Sequence, residues 1–282
     1  MTIGVVGLGL IGGSVSKAIK HSTPHTVLGY DISEPVVCKA KLLDAIDGFL
    51  SDDRIPVCDM IIIATYPQIC VDFLEQKASL IKKETIVMDC CGIKDFVCKK
   101  LFPLAKKNGF IFIGAHPMAG IEFSGFDNAQ HKLFSNASII LTPSPNTDLE
   151  TLQLVKKFWG SLGFTNFEIT NPERHDKIIA YTSQLAHVVS SAFIKSKTAL
   201  EHLGFSAGSY KDMTRVARLN ENMWTELFLE NADNLGSELD ELIANLQEYS
   251  KALKNRDEKK LKALLKEGRE AKEIADKGDM TV

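Results

Sequence analysis

The first fourteen residues constrain the fold of this chain more than any other stretch. A short apolar run with the β-branched Ile3, Val5 and Val6 leads straight into Gly7-Leu8-Gly9-Leu10-Ile11-Gly12-Gly13, after which a helical pattern begins. This is G-x-G-x-x-G in the strand–turn–helix setting that gives it meaning as a dinucleotide-binding turn. Gly7 lets the chain turn sharply out of the strand. Gly9, lacking a side chain, lets a pyrophosphate approach the backbone, and Gly12 lets the next helix pack closely on the sheet. The helix start then offers unpaired N–H groups and a positive dipole end to the phosphates. A second strand, Val27 to Tyr30, ends at Asp31, 19 residues past Gly12 and near the spacing of a carboxylate that hydrogen-bonds a ribose 2′-hydroxyl. A 2′-phosphate would be repelled there, so the pattern points to NAD rather than NADP. Two alternatives stay open on these residues alone: a glycine-rich turn without a ligand, and an FAD site.

Composition narrows the class. The 282 residues suffice for two domains or one large one, and a formal net charge of −3 gives no sign of nucleic-acid or acidic-membrane partners. No apolar run reaches the ~18 residues of a membrane span. The beginning of the chain reads as a buried strand without a basic n-region or cleavage site, so no signal peptide and a cytoplasmic location are expected. Cys38, Cys58, Cys70, Cys90, Cys91 and Cys98 include no C-x-x-C pair. They read as reduced thiols serving partly as small hydrophobes, and no metal site is expected.

From residue 1 to about 165 the pattern alternates between strands and helices. Strands are expected at Met60–Ala64, Thr85–Met88, Phe110–Ala115, Ser138–Leu141 and Thr165–Ile169. Helices are expected at Glu34–Leu43, Ile69–Ile81, Phe96–Asn108 and Asp148–Leu162. The wholly apolar Met60-Ile61-Ile62-Ile63-Ala64 suits a parallel sheet covered on both faces. This is a doubly wound α/β domain. After Asn171-Pro172, a step that suits a helix start, strand signals almost vanish. Helices are expected from Pro172 to about Leu203, Met213 to Asn220, Asn222 to Asn234, Ser237 to Lys254 and Asp257 to Ala275. The division is therefore an α/β domain at 1–170 and an all-α domain at 171–275. The helical part is too thin to bury all its apolar faces, which hints at a dimer.

In an open parallel sheet the reactive centre lies beyond the carboxyl ends of the strands. Thr65, Asp89, the Cys90-Cys91-Gly92 turn and His116 fall there. His116, at a strand end and followed by Pro117, is placed either for proton transfer near neutral pH or as a loop-capping structural residue. The helical part adds His175 and Asp176 near a helix start, then Ser183, Gln184 and His187. On a regular helix His175 and His187 share a face but lie ~18 Å apart, so they compete for one role at a small substrate. Asp212 is placed to cap a helix, and Arg215 and Arg218 follow it. An arginine facing a cleft is a natural bidentate clamp for a carboxylate, the alternative being a surface ion pair.

These residues carry a likeness to a known family. With Gly7–Ser14 (GLGLIGGS), His116–Gly120 (HPMAG) and Glu122, His175-Asp176, Ser183–His187 (SQLAH) and Lys211–Ala217 (KDMTRVA), the chain resembles the prephenate dehydrogenases, which include arogenate dehydrogenases. The resemblance spans about residues 1 to 250. It implies an N-terminal Rossmann dinucleotide-binding domain with a C-terminal helical dimerisation domain, and a homodimer. It also implies His116 as the catalytic histidine on the substrate's ring hydroxyl, and Glu122 at the mouth of the site. By the same likeness His187 lies near the substrate, Arg215 anchors a substrate carboxylate and Asp212 orders that region. NAD contacts are expected from Gly7, Leu8, Gly9, Leu10, Ile11, Gly12, Asp31, Thr65 and Asp89. Two departures stand out. Gly92 occupies the place of a frequent serine. Gln184 and Ala186 replace residues of S-H-L-P-H, and loss of that proline should straighten the helix. The chain is also too short for an added mutase or regulatory domain.

The expected reaction is oxidative decarboxylation of prephenate to 4-hydroxyphenylpyruvate with NAD. The alternatives are arogenate or dual cyclohexadienyl specificity, another two-domain dehydrogenase, and an inactive NAD-binding regulator.

Overall fold

The computed structural model describes residues 1–279. They divide into two compact units, Met1–Ala232 and a second beginning at Asp233. The first unit opens with β1 (Thr2–Val6), α1 (Leu10–Ser22), β2 (Thr26–Tyr30), α2 (Glu34–Leu42) and β3 (Gly48–Phe49). It continues with β4 (Met60–Ile63), α3 (Pro67–Lys77), β5 (Ile86–Asp89), α4 (Asp95–Asn108) and β6 (Ile111–Met118). Then follow β7 (Ser138–Pro143), α5 (Leu149–Ser161) and β8 (Asn166–Ile169). The strands form one sheet in the order β3-β2-β1-β4-β5-β6-β7-β8.

Strand order reverses between β1 and β4, which pair in parallel through Val6 and Ile63. That reversal opens a crevice at the carboxyl edge, where this architecture places its ligands. Along β4, Met60 and Ile62 join one apolar cluster while Ile61 and Ile63 join another. Alternation with a period of two thus explains why the strand is apolar throughout: each face is buried under a different layer.

The sheet departs from all-parallel at one pair. β6 and β7 run antiparallel, with His116 opposite Ile140. Only the short 3₁₀ turn Phe126–Asn128 lies between them, so no crossover helix brings the chain back to a parallel start. The parallel partner β5 covers β6 only from Ile111 to Ile113. Antiparallel β7 carries β6 on to Met118, so His116 sits inside a strand rather than after one. Its edge toward β5 is open, and there Pro117 forfeits no ladder bond.

Beyond β8, α6 (Pro172–Ile179) starts at Asn171, whose side chain accepts from the N–H of Arg174. Then come a π-helical stretch, Ala180–Leu185, and α7 (Ala186–Phe193). The expected straight helix is therefore broken without a proline: i→i+5 bonding widens it where Gln184 turns inward. A 3₁₀ turn, Lys197–Glu201, precedes α8 (Gly208–Thr214) and α9 (Glu221–Leu229). The helix expected from Met213 to Asn220 lies earlier, so Asp212 falls within α8 instead of capping it. Asn220 takes the capping role for α9 by accepting from the N–H of Met223.

The second unit holds α10 (Ala232–Lys254) from its second residue on, and α11 (Glu258–Asp279). The Tyr249 hydroxyl donates to the Leu264 carbonyl at 3.1 Å, and Lys260 pairs with Glu248. Ile243, Leu246, Leu253, Leu265 and Ile274 are exposed. Among the described residues no helix is long and apolar enough to cross a membrane.

Candidate active site

The glycine turn shows which of its residues are steric necessities. Gly7 has φ +82°, and a Cβ there would lie 2.6 Å from the Ala64 carbonyl oxygen. A Cβ on Gly12 would lie 1.8 Å from the Gly7 carbonyl oxygen. Both positions are closed to any other residue by backbone atoms. A Cβ on Gly9 would meet nothing within 4 Å. Gly9 is bare for a different reason: it faces the open side, and α1 begins beside it with no side-chain cap. The first-turn N–H groups of Leu10, Ile11 and Gly12 are left to an anion there. Asp31 closes the loop from the second strand. It accepts the N–H of Leu8 at 2.8 Å through one oxygen and that of Ser33 at 2.9 Å through the other. Leu8 itself is buried, so it contributes its backbone and not its side chain. Thr65 borders the turn, its methyl 2.7 Å from where a Gly7 Cβ would stand.

At the end of β5 and along β6, polar side chains from three elements converge. His116 Nδ1 lies 2.9 Å from His175 Nε2, and His175 Nδ1 lies 2.6 Å from Asp176 Oδ1. Asp176 also accepts the N–H groups of Lys94 at 2.7 Å and Asp95 at 2.8 Å. These open α4, which has no cap of its own, so its positive end adds to the pull on the carboxylate. Asn231 secures the far side, donating to the Asp176 carbonyl at 2.9 Å and to Gln184 Oε1 at 2.7 Å. Gln184 in turn donates to the Leu227 carbonyl.

The partners determine the tautomers. A carboxylate only accepts, so His175 Nδ1 carries a proton. Burial holds His175 below its ordinary pKa against the raising effect of Asp176, so its Nε2 is an acceptor. His116 Nδ1–H therefore donates to it. Burial, then His175, then Lys94 hold His116 well below its ordinary pKa. The result is a neutral imidazole with a bare Nε2. That atom lies 4.0 Å from where a Gly92 Cβ would stand, beside the Leu227 side chain.

A second group forms around His187. Its Nδ1 donates to the Ser183 carbonyl at 2.8 Å, and its ring packs against Trp224, tilted by 31° with centroids 3.9 Å apart. Burial lowers its pKa, the Ser183 bond opposes this, and nearby Arg215 lowers it further. Trp224 and Leu227 are three apart on α9 and so share a face. That face joins the His187 group to the turn at Gly92. His175 and His187 thus do not compete: one orients His116, the other lies along α9.

Asp89 corrects an expectation. It is fully buried. Its oxygens are taken by the Lys94 ammonium and by the N–H groups of Cys91 and Ala115. Its carboxylate is thus engaged within the protein. Asp212, Arg215 and Glu122 are exposed, Glu122 in the loop after β6. Lys94, Trp224, Leu227 and Asn231 escaped the sequence reading. A lysine directly after the uncharged run Cys90–Ile93 was the one signal available among them.

A reversal in strand order, a glycine turn at the reversal and a neutral histidine along the same edge define an oxidoreductase of the Rossmann class. Family models identify it further. The model described as prephenate dehydrogenase, nucleotide-binding domain, matches residues 15–166, and that described as prephenate dehydrogenase, dimerization domain, matches 171–267. The chain belongs to the prephenate dehydrogenase family. It is 32% identical to the cyclohexadienyl dehydrogenase of Zymomonas mobilis, over 96% of this chain and 94% of the other. Among solved structures it is similar to the prephenate dehydrogenase of A. aeolicus in complex with hydroxyphenyl propionate and NAD+, with TM-score 0.85 and 28% identity over 98% of each chain. It is also similar to Synechocystis arogenate dehydrogenase, with TM-score 0.81 and 26% identity over 98% of this chain and 100% of the other.

Proposed function

We propose that the chain converts prephenate to 4-hydroxyphenylpyruvate and carbon dioxide, with NAD as the oxidant. The observation that carries this reading is the bare Nε2 of His116, left free while His175 and Asp176 hold Nδ1. NAD fits the residues present. Gly9 leaves the space a pyrophosphate needs, the α1 amides face it, and the Asp31 carboxylate suits a free ribose hydroxyl. The similar A. aeolicus structure contains NAD+. When bound, NAD supplies a hydride acceptor.

The chain's own groups perform the rest. His116 Nε2 accepts the proton of the substrate's ring hydroxyl as that carbon loses hydride. The ring carboxylate then leaves as carbon dioxide, its bonding electrons completing the aromatic ring. Arg215, exposed beside His187, holds the side-chain carboxylate, which stays on the product. Holding the ring carboxylate would oppose its loss. Glu122 stands at the entrance, and Asp212 orders the segment that carries Arg215. Residues 1–170 then form the cofactor domain and 171–275 the substrate and dimerisation domain. The exposed apolar side chains of α10 and α11 support a homodimer. A cytoplasmic location suits such an enzyme.

The names of the relatives span prephenate, arogenate and cyclohexadienyl substrates, so the decisive assay follows nicotinamide reduction with prephenate and arogenate, each with NAD and NADP. Prephenate with NAD is expected to give the highest kcat/KM. Replacing His116 by Asn should lower kcat ~10²–10⁴-fold. Turnover of neither substrate, or a His116→Asn rate within about threefold of the parent, would sink the proposal.

A further inference from the structure

A buried ion pair lies beneath His116 that the reaction itself does not use. Lys94 and Asp89 are both completely buried and bonded to each other. The ammonium also donates to the Ala115 carbonyl at 2.7 Å, and Asp89 accepts the Ala115 N–H at 3.2 Å. Both polar groups of the residue preceding His116 are thus tied to this pair. The Lys94 backbone N–H donates to Asp176 Oδ1. One residue therefore grips the chain on each side of the His116–His175 contact. The site is tightly packed: a Cβ on Gly114 would come within 2.2 Å of Thr142 Oγ1, 2.9 Å of Cys98 Sγ and 3.1 Å of the Lys94 stem. Stability is a poor reason for such a pair, since well-packed apolar replacements of buried ion pairs are often as stable or more so.

We propose that Lys94 is a positioning residue that fixes the tautomer of His116. Its ammonium, with Asp89, locks the backbone bearing His116, while its N–H locks the carboxylate that orients His175. The proposal rests on His116 acting as the base, but its readout needs no substrate.

The test is nitrogen NMR of ¹⁵N-histidine-labelled protein, which distinguishes Nδ1–H from Nε2–H imidazole. The parent should show His116 as a single Nδ1–H tautomer. A double variant, Lys94→Met with Asp89→Asn, keeps the charge balance and retains an acceptor oxygen for the turn. It should show mixed tautomers and a kcat at least about tenfold lower, part of the ~10²–10⁴-fold that a placed base supplies, with KM for NAD unchanged. Should the double variant not fold, Lys94→Gln with Asp89→Asn, which also leaves no unpaired buried charge, loosens the same grip and should show the same mixture in smaller measure. A mixture in the parent would overturn the proposal. So would a folded variant that keeps the single tautomer and a kcat within about threefold of the parent. Absence of turnover with either substrate would instead strike the functional reading and leave the tautomer result standing.

Discussion

Replacing Asp176 by asparagine isolates the charge behind the base. Within the buried cluster, Lys94 and Asp89 cancel and both histidines are neutral, so Asp176 leaves one net negative charge. In the proposed reaction His116 takes the substrate proton, and that charge becomes the counter-ion of the new imidazolium. The carboxylate is separated from His116 by contacts of 2.6 and 2.9 Å across the ring of His175. Taking the charges as about 7 Å apart in an effective dielectric of about 20, the lost attraction is about 2.4 kcal/mol, roughly 60-fold in rate. Asparagine also cannot accept all three of the bonds made by Asp176. Whichever way its amide faces, one buried donor meets another, at a cost of about 1–3 kcal/mol in stability. Initial rates across a pH series, with thermal melts alongside, measure both effects. The expected result is a folded variant with kcat lower by about that factor, KM for NAD unchanged, and an acid limb moved to lower pH, because removing an anion disfavours protonation of His116. A kcat within about threefold of the parent, or an acid limb moved upward, would refute the argument.

The glycine turn predicts opposite outcomes at neighbouring positions. Gly12→Ala should fail to fold or lose about 3 kcal/mol or more in denaturant titration, since the backbone carbonyl it meets cannot retreat. Gly9→Ala should keep the parent's melting temperature and raise KM for NAD; the reverse ranking would contradict the steric reading. Stability should also depend on pH through His116, His175 and His187, all lowered by burial. Below about 6.5 the unfolded chain binds protons that the folded chain refuses, so stability from these groups is full above that value and falls as pH drops below it. Urea midpoints measured from pH 7.5 down should show this; a midpoint that rises on acidification to about pH 5 would not fit.

Local rules carried the fold a long way. The glycine spacing and the wholly apolar β4 are short-range signals, and each had one architecture that suited it. The strand direction of β7 was not readable, because what decides it is the absence of a crossover helix from a long loop. His116 was visible as a histidine at the carboxyl edge. Its contact with His175 was not readable, because the pairing spans 59 residues of sequence. Asp89 looked like a ligand contact by its place at a strand end. Whether a carboxylate there faces outward or inward depended on Lys94, and only packing reveals that the lysine stem runs inward across Gly114. Asp212 followed from misplacing one helix by a turn and a half, an error that local propensity in a turn-rich segment invites.

The contact between His116 and His175 joins residues from either side of Asn171-Pro172. A polypeptide emerging from the ribosome completes the glycine turn and Asp31 early. Until α6 arrives, nothing chooses between the two nitrogens of His116. The order of synthesis thus puts the glycine turn and Asp31 in the chain well before the residue that chooses between those two nitrogens.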